Sequence, residues 1–198
     1  MRVLVTGLGD IAHKGYLPVL AANPELELHL ATRDQRVLRE AGHSFRVPHL
    51  HASVEHALAA ATFDAAFIHA TTGAHPALVR LLLERRIPTF VDKPLADNLA
   101  ETQQLVALAE RQETLLTIGF NRRFAPDYAA LRGTGASLIV MEKHRHRQAD
   151  TARKVVFDDF IHVVDTLLFL APAPHPAPHD RDSCRAWTAQ GGDADAGG

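Results

Sequence analysis

The sequence predicts an α/β protein built on a doubly wound parallel sheet, and three observations carry that expectation. Short apolar runs alternate with longer segments of helical period, the pattern of βαβ units. The first run, Val3-Leu4-Val5, passes directly into a glycine-rich turn at Gly7. Composition then breaks at Leu170, because residues 171 to 198 hold no Leu, Ile, Val or Phe but seven Ala and twelve Gly, Pro or Asp. Such a tail buries too little to offset the ~1–2 kcal/mol per residue that backbone ordering costs, so it is expected to be disordered despite Trp187.

The elements follow in chain order. A strand is expected over Arg2–Thr6, then a helix over Ile11–Ala22 that Pro18, lacking a backbone donor, kinks or restarts near Gly15. The strand Glu27–Ala31 precedes helical segments Gln35–Ala41 and Val54–Ala61, and Ala65–His69 is the next strand. Helix Pro76–Arg85 leads to strand Thr89–Val91. Asp97 is the expected N-cap of helix Asn98–Gln112, with Leu99, Leu105, Val106 and Leu108 in its inward stripe. Strands over Leu115–Gly119 and Ser137–Lys143 and a helix over Phe157–Leu170 complete the set, and no internal repeat is present.

Composition excludes several function classes. With 198 residues, 46% apolar and 22% charged, the chain is a soluble globular one and not a disordered one. No apolar run approaches the ~20 residues of a membrane span. The net charge of −2 offers no general counter-field to polyphosphate, so neither a membrane nor a nucleic acid is an expected partner. Lys143-His144-Arg145-His146-Arg147 is the sole basic run, and on a strand its residues alternate between faces. Cys184 stands alone, which precludes an intrachain disulfide. The glycine turn comes too early for a secretory leader, so a cytoplasmic location is expected.

Gly7-Leu8-Gly9-Asp10-Ile11-Ala12 is the strongest local signal because it lies between a strand and a helix. In that setting Gly7 allows the tight turn, Gly9 lets backbone approach a pyrophosphate, Ala12 permits close helix–strand packing, and the helix N-terminus at Asp10 and Ile11 supplies donors. The bland reading is a βα turn without a ligand. The sugar-reading position ~20 residues on falls at Thr32-Arg33-Asp34. Thr32 is neutral and Arg33 is a charged fork suited to a 2′-phosphate, which favours NADP over NAD. The alternative makes Arg33 a solvated loop residue and Asp34 the ribose reader.

Phe90-Val91-Asp92-Lys93-Pro94 stands at the C-terminal end of a strand, where open α/β sheets bind ligands. Lys93 either serves a site or forms a surface ion pair with Asp92. On a helix, Asp158, His162 and Asp165 share one face at i, i+4 and i+7. A carboxylate beside His162 raises the imidazole pKa and suits a proton shuttle. The competing reading is a polar face behind a core stripe of Phe157, Ile161, Val164 and Leu168. Of the thirteen His, the pairs His49 with His51, His144 with His146 and His175 with His179 lack a Cys, Asp or Glu at a recognised ligand spacing, so no metal site is expected.

Taken in order, the N-terminal turn, Ala70-Thr71-Thr72-Gly73-Ala74-His75, Asp92-Lys93-Pro94 and Gly119-Phe120-Asn121-Arg122-Arg123-Phe124 resemble the Gfo/Idh/MocA family of NAD(P)-dependent oxidoreductases over residues 1 to 170. Within it, the segments around Lys93, Lys143 and Asp158 are most similar to the branch known as MviM-type virulence factors. The resemblance implies a Rossmann-type dinucleotide-binding domain over residues 1–120 and a partial α+β substrate domain over 121–170, followed by the tail at 171–198. It implies NADP or NAD held by Gly7, Gly9, Asp10, Ile11, Ala12, Thr32, Arg33, Thr71, His75 and Lys93. It further implies that Lys93 contacts nicotinamide and substrate, that His162 exchanges the hydroxyl proton of a sugar, polyol or related small-molecule substrate, and that Asp158 orients His162 or the substrate.

Two departures stand out. Phe160 occupies a position where the family pattern has Gly, which narrows the sugar pocket. The family continues into a C-terminal sheet that covers the active site and often makes the oligomer interface. Only its first strand and helix are legible here, so the chain reads as C-terminally truncated, with an interface and substrate closure incomplete. The rival reading is a catalytically silent dinucleotide-binding or interaction module.

Overall fold

The computed structural model describes residues 1–144 and 150–171. Six parallel strands form one sheet: β1 (Arg2–Thr6), β2 (Glu27–Ala31), β3 (His49–His51), β4 (Ala65–Ile68), β5 (Thr89–Val91) and β6 (Leu116–Ile118), in the order β3-β2-β1-β4-β5-β6. The direction of winding reverses between β1 and β4, and the crevice above that point is where open α/β sheets take ligands.

Period-two alternation assigns the two faces. Val3, Val5, Leu28 and Leu30 point to the side covered by α1 (Leu17–Ala22) and α2 (Gln35–Phe45), where Leu8, Ala12, Leu17, Leu38 and Ala41 join them. Leu4, Ala31, Ile68 and Val91 point to the other side, under α3 (Val54–Ala60), α4 (His75–Leu83) and α5 (Leu99–Arg111). Beyond β6 come α6 (Pro126–Leu131), the short α7 (Ala152–Lys154), a π-helical stretch over Val155–Phe160 and α8 (Ile161–Leu170). No helix among the described residues is long and apolar enough to cross a membrane.

Several elements differ from expectation for identifiable reasons. The first helix begins as a π-helical turn, Ala12–Tyr16, and restarts as α1 at Leu17. That restart puts Pro18 in a first turn, where the absent N–H has no intrahelical partner to lose. The cap of α5 is Asn98, whose Oδ1 accepts from Glu101 N at 2.9 Å, and not Asp97. Within α5, Leu105 and Leu108 are buried, whereas Leu99 and Val106 face solvent. Ser137–Lys143 forms no strand, and Leu138 and Val140 are exposed because nothing among the described residues pairs with them. His49–His51, not expected as a strand, is the sheet edge, paired with β2. In α8 the buried residues are Val163, Asp165, Thr166 and Leu170, while Val164 and Leu168 are exposed, so the expected core stripe is rotated. The π-helical stretch ahead of it changes the angle per residue and with it the face presented.

Candidate active site

The glycine turn is built by two glycines with different reasons. Gly7 has φ +81°, and a Cβ there would stand 2.1 Å from Ala70 N, so the close approach of the β1 and β4 ends admits no side chain. At Gly9 nothing lies within 4 Å of where a Cβ would be. The fold does not demand glycine there; the space belongs to the cleft. A cavity of about 510 Å³ opens on this turn, lined by Gly7, Gly9, Thr32, Arg33 and Thr71 among others.

Arg33 is exposed at the rim of that cavity, and its guanidinium has no ion-pair partner among the described residues. Asp34 lines the same cavity, and one of its carboxylate oxygens, Oδ1, caps α2, accepting from Arg36 N at 2.9 Å and Val37 N at 3.1 Å. These two bonds hold its pKa below the ordinary carboxylate value. Ala12 is fully buried against the sheet, as close packing requires. Asp10 faces solvent and pairs with Lys14 at 2.6 Å, outside the cleft.

A second cavity, about 580 Å³, adjoins the first, with Ala70 and Thr71 in the wall of both. Its wall brings together Ile11, His75, Lys93, Asp158 and His162, five residues drawn from positions 11 to 162. His75 is 1% exposed, with Nδ1 2.7 Å from Pro94 O and Nε2 2.9 Å from Ala70 O, so it clamps the ends of β4 and β5 together. A third cavity of about 410 Å³ shares Lys93, Lys143, Lys154 and Asp158 with the second.

Lys93 does not pair with Asp92. Its Nζ donates to the backbone oxygen of Asp158 at 2.7 Å, tying β5 to the π-helical stretch. Half-burial lowers its pKa first, with Asp158 opposing that shift and Lys143 adding to it. Asp92 instead accepts from His69 Nδ1 at 2.9 Å. Neither His69 nor Tyr16 was among the expected site residues. Tyr16 packs its ring on His69 at 4.1 Å, and burial, then the charge and hydrogen bond of Asp92, push its phenol up to about 12. His69 Nε2 is buried and has no partner among the described residues. The legible signal for His69 was its place at the C-terminal end of β4, beside the cleft.

The three-residue helix face expected at the end of the chain is divided. Asp165 is taken by Arg123, whose Nε donates to both carboxylate oxygens at 3.0 and 2.9 Å, with Nη2 also donating to Oδ1. Among the described residues His162 has no hydrogen-bonded carboxylate partner, and the expected upward pKa shift is reversed. Burial, followed by the charges of Lys93, Arg122 and Lys143, depresses it to about 4, so the imidazole is neutral at pH 7. Lys143 donates to Asp159 Oδ1 at 2.7 Å. Residues Arg145, His146 and Arg147 of the basic run, and His175, His179 and Cys184, lie outside the described residues.

Two adjoining cavities thus hold an open space at Gly9, the Arg33 guanidinium with no ion-pair partner among the described residues, a His69 nitrogen with no hydrogen-bond partner among them, and the titratable groups Lys93 and His162. A family model described as an oxidoreductase family with an NAD-binding Rossmann fold, GFO_IDH_MocA, matches residues 1–120. The chain is 42% identical over 178 residues to the oxidoreductase YceM of Salmonella typhimurium, covering 86% of this chain and 56% of that protein. Myo-inositol dehydrogenase Hyg17 of Streptomyces leeuwenhoekii is 49% identical over 69 residues, covering 35% of this chain and 21% of that protein. The crystal structure of a Gfo/Idh/MocA family oxidoreductase from Vibrio cholerae superimposes with a TM-score of 0.76 at 39% identity, over 84% of this chain and 56% of that one. The chain thus spans about half the length, or less, of the relatives it matches.

Proposed function

This chain belongs to the Gfo/Idh/MocA family of NAD-binding oxidoreductases, and from that premise we propose that its cleft binds NADP(H) in preference to NAD(H) and presents a sugar, polyol or related hydroxylated small molecule for hydride transfer. The observation that carries this reading is the adjacency of two cavities that share Ala70 and Thr71 in their walls. The first is lined by Arg33 and Gly9, and the second by Lys93 and His162. Thr32 and Arg33 would hold the ribose end, Gly7 and Gly9 the pyrophosphate, and Thr71 and Lys93 the nicotinamide end.

When bound, the nicotinamide supplies the hydride acceptor or donor. The chain's own groups handle the proton and the charge. A neutral imidazole at His162 has an unprotonated ring nitrogen with which to accept the hydroxyl proton as the C–H hydride leaves, and it returns that proton in the reverse direction. The Lys93 ammonium, held by Asp158 O, stabilises negative charge developing on the substrate oxygen in a partly dehydrated site. Asp158 contributes through its backbone carbonyl, which positions Lys93.

Calorimetric titration of NADPH and NADH into the full chain and into Gly9→Val tests the reading. A β-branched side chain at Gly9 fills the space the pyrophosphate needs, so binding should be abolished while the fold persists, because no protein atom is near. Unchanged affinity in a folded Gly9→Val variant would reject the assignment. Cofactor binding without turnover on a panel of cyclic and acyclic polyols would instead favour a dinucleotide-binding module.

A further inference from the structure

Away from the cleft, the edge of the sheet assembles a second set of chemistry-bearing side chains. β2 and β3 run parallel with His29 opposite His49 and Ala31 opposite His51. Side chains alternate along a strand, so Glu27 and His29 share one face of β2, and His49 and His51 stand beside them on the same face of β3. His49 and His51 look like an incomplete pair in sequence because their carboxylate and third imidazole lie about twenty residues upstream. Parallel pairing supplies both.

The rings are ordered. His29 is 5% exposed, edge-on to Phe63 at 5.0 Å, and stacked on His49 at 4.3 Å with a 10° interplanar angle. Its Nε2 is 3.1 Å from Glu27 Oε1, and His49 Nε2 is 4.0 Å from the same oxygen. One ligand atom from each of Glu27, His29 and His49 lies within 4.8 Å of the others. Two N or O ligands bound at ~2.1 Å to one tetrahedral ion are about 3.4 Å apart, so the observed spacings bracket what a shared ion requires. Glu27 and His49 are the exposed members, and closing the remaining gap around the fixed His29 requires Glu27 to leave Arg2 and the His49 ring to turn out of its stack. Behind His29, Nδ1 lies 2.9 Å from His51 Nε2. Without an ion, Nε2–H donates to Glu27; with an ion on Nε2, the proton would move to Nδ1 and Nδ1–H would donate to His51, the outward partner that metal-binding imidazoles generally have.

From this juxtaposition we infer that Glu27, His29 and His49 form a binding site for a borderline divalent transition ion of the Zn²⁺ class, with His51 as the positioning residue behind His29. Imidazole and carboxylate ligands suit such ions, and three protein ligands leave a fourth position for water. The site ties the three-residue edge strand β3 to β2. Its competitor is Arg2, whose Nε donates to Glu27 Oε1 at 3.1 Å and must be displaced as the ion binds. None of the four residues lines the dinucleotide cleft, so the inference stands apart from the proposed hydride transfer.

Zn²⁺ alone, titrated calorimetrically into the full metal-free chain, tests it. One stoichiometric event is expected, weakened at least tenfold in Glu27→Gln and in His49→Ala, both changes at exposed side chains that leave the core intact. His43→Ala, an exposed histidine on α2, should leave the event unchanged, and Arg2→Ala should tighten it by removing a competing cation. Circular dichroism verifies the fold of each variant. Binding that is equally tight in folded Glu27→Gln and His49→Ala, or only a weak multi-site uptake spread over the other histidines, would overturn the assignment. Because the readout is the ion, failure here leaves the dinucleotide reading untouched, and loss of NADP(H) binding leaves this one standing.

Discussion

At the residue scale, two side chains in the cleft carry charge logic that mutation can read. Arg33 stands at the cavity rim without an ion-pair partner among the described residues, while Asp34 beside it gives carboxylate oxygen Oδ1 to the α2 cap. Arg33→Ala should therefore weaken NADP(H) by up to ~1.5–3 kcal/mol and NAD(H) by far less, measured by paired titrations. Equal losses would remove the 2′-phosphate from its role. His162 makes a different prediction. Its folded pKa lies near 4 against an ordinary 6.5, because burial and three neighbouring cations resist a further positive charge. Between those values the unfolded chain binds more protons than the folded one, so the fold gains stability as pH rises from about 4 to 6.5 and loses it on acidification. His162→Gln should flatten that part of the stability–pH curve in denaturant melts. An unchanged slope would mean that this ring titrates normally. The sequence alone suggested the opposite shift, since it showed carboxylates at helical spacing but not Arg123, 42 residues away, that claims Asp165.

At the element scale, what was legible was whatever depends on short-range pattern. Val3-Leu4-Val5 before Gly7, the alternation that sends Leu4 one way and Val5 the other, and the strand ends that carry Thr32, Thr71 and Lys93 all follow from local chemistry and βα topology. What was not legible depends on partners distant in sequence. Ser137–Lys143 has the composition of a strand and no neighbour to pair with; His49–His51 has little strand character and is held by β2. The start of α5 is a contest between adjacent caps. Asn98 adopts the extended backbone of a capping residue and bonds Glu101 N, whereas Asp97 faces the Arg153 guanidinium at 3.5 Å on the surface. Asn98→Ala should cost about 1 kcal/mol in chemical denaturation. Asp97→Ala should cost less than half as much, given the weakness of exposed ion pairs. Reversal of that order would return the cap to Asp97.

At the scale of the whole molecule, burial is unevenly distributed. Both apolar clusters are made from residues between Val3 and Ile118, and together they cover both faces of the sheet. Beyond β6 the described chain buries Val163 and Leu170 but exposes Phe124, Leu131, Leu138, Val140, Phe160 and Leu168. It is fastened to the first 120 residues through a few polar contacts, among them Lys93 to Asp158 O and Arg153 to Asp97 O. A segment with so little apolar burial opens locally at lower free energy than the sheet does. Limited proteolysis of the full chain should therefore cut between residues 121 and 171 first and leave a resistant fragment ending near β6, identified by mass spectrometry. Saturating NADP(H) should extend the lifetime of that fragment, since a ligand at a hundredfold excess over Kd stabilises the state it binds by about 2.7 kcal/mol. Lys93 and the segment it touches meet in the adjoining cavity, so a cofactor that reaches Lys93 should also slow the first cuts near Asp158. Protection confined to the fragment would mean that the ligand ends at the glycine turn. Uniform resistance across residues 121 to 171 without cofactor would mean that this segment has a core of its own.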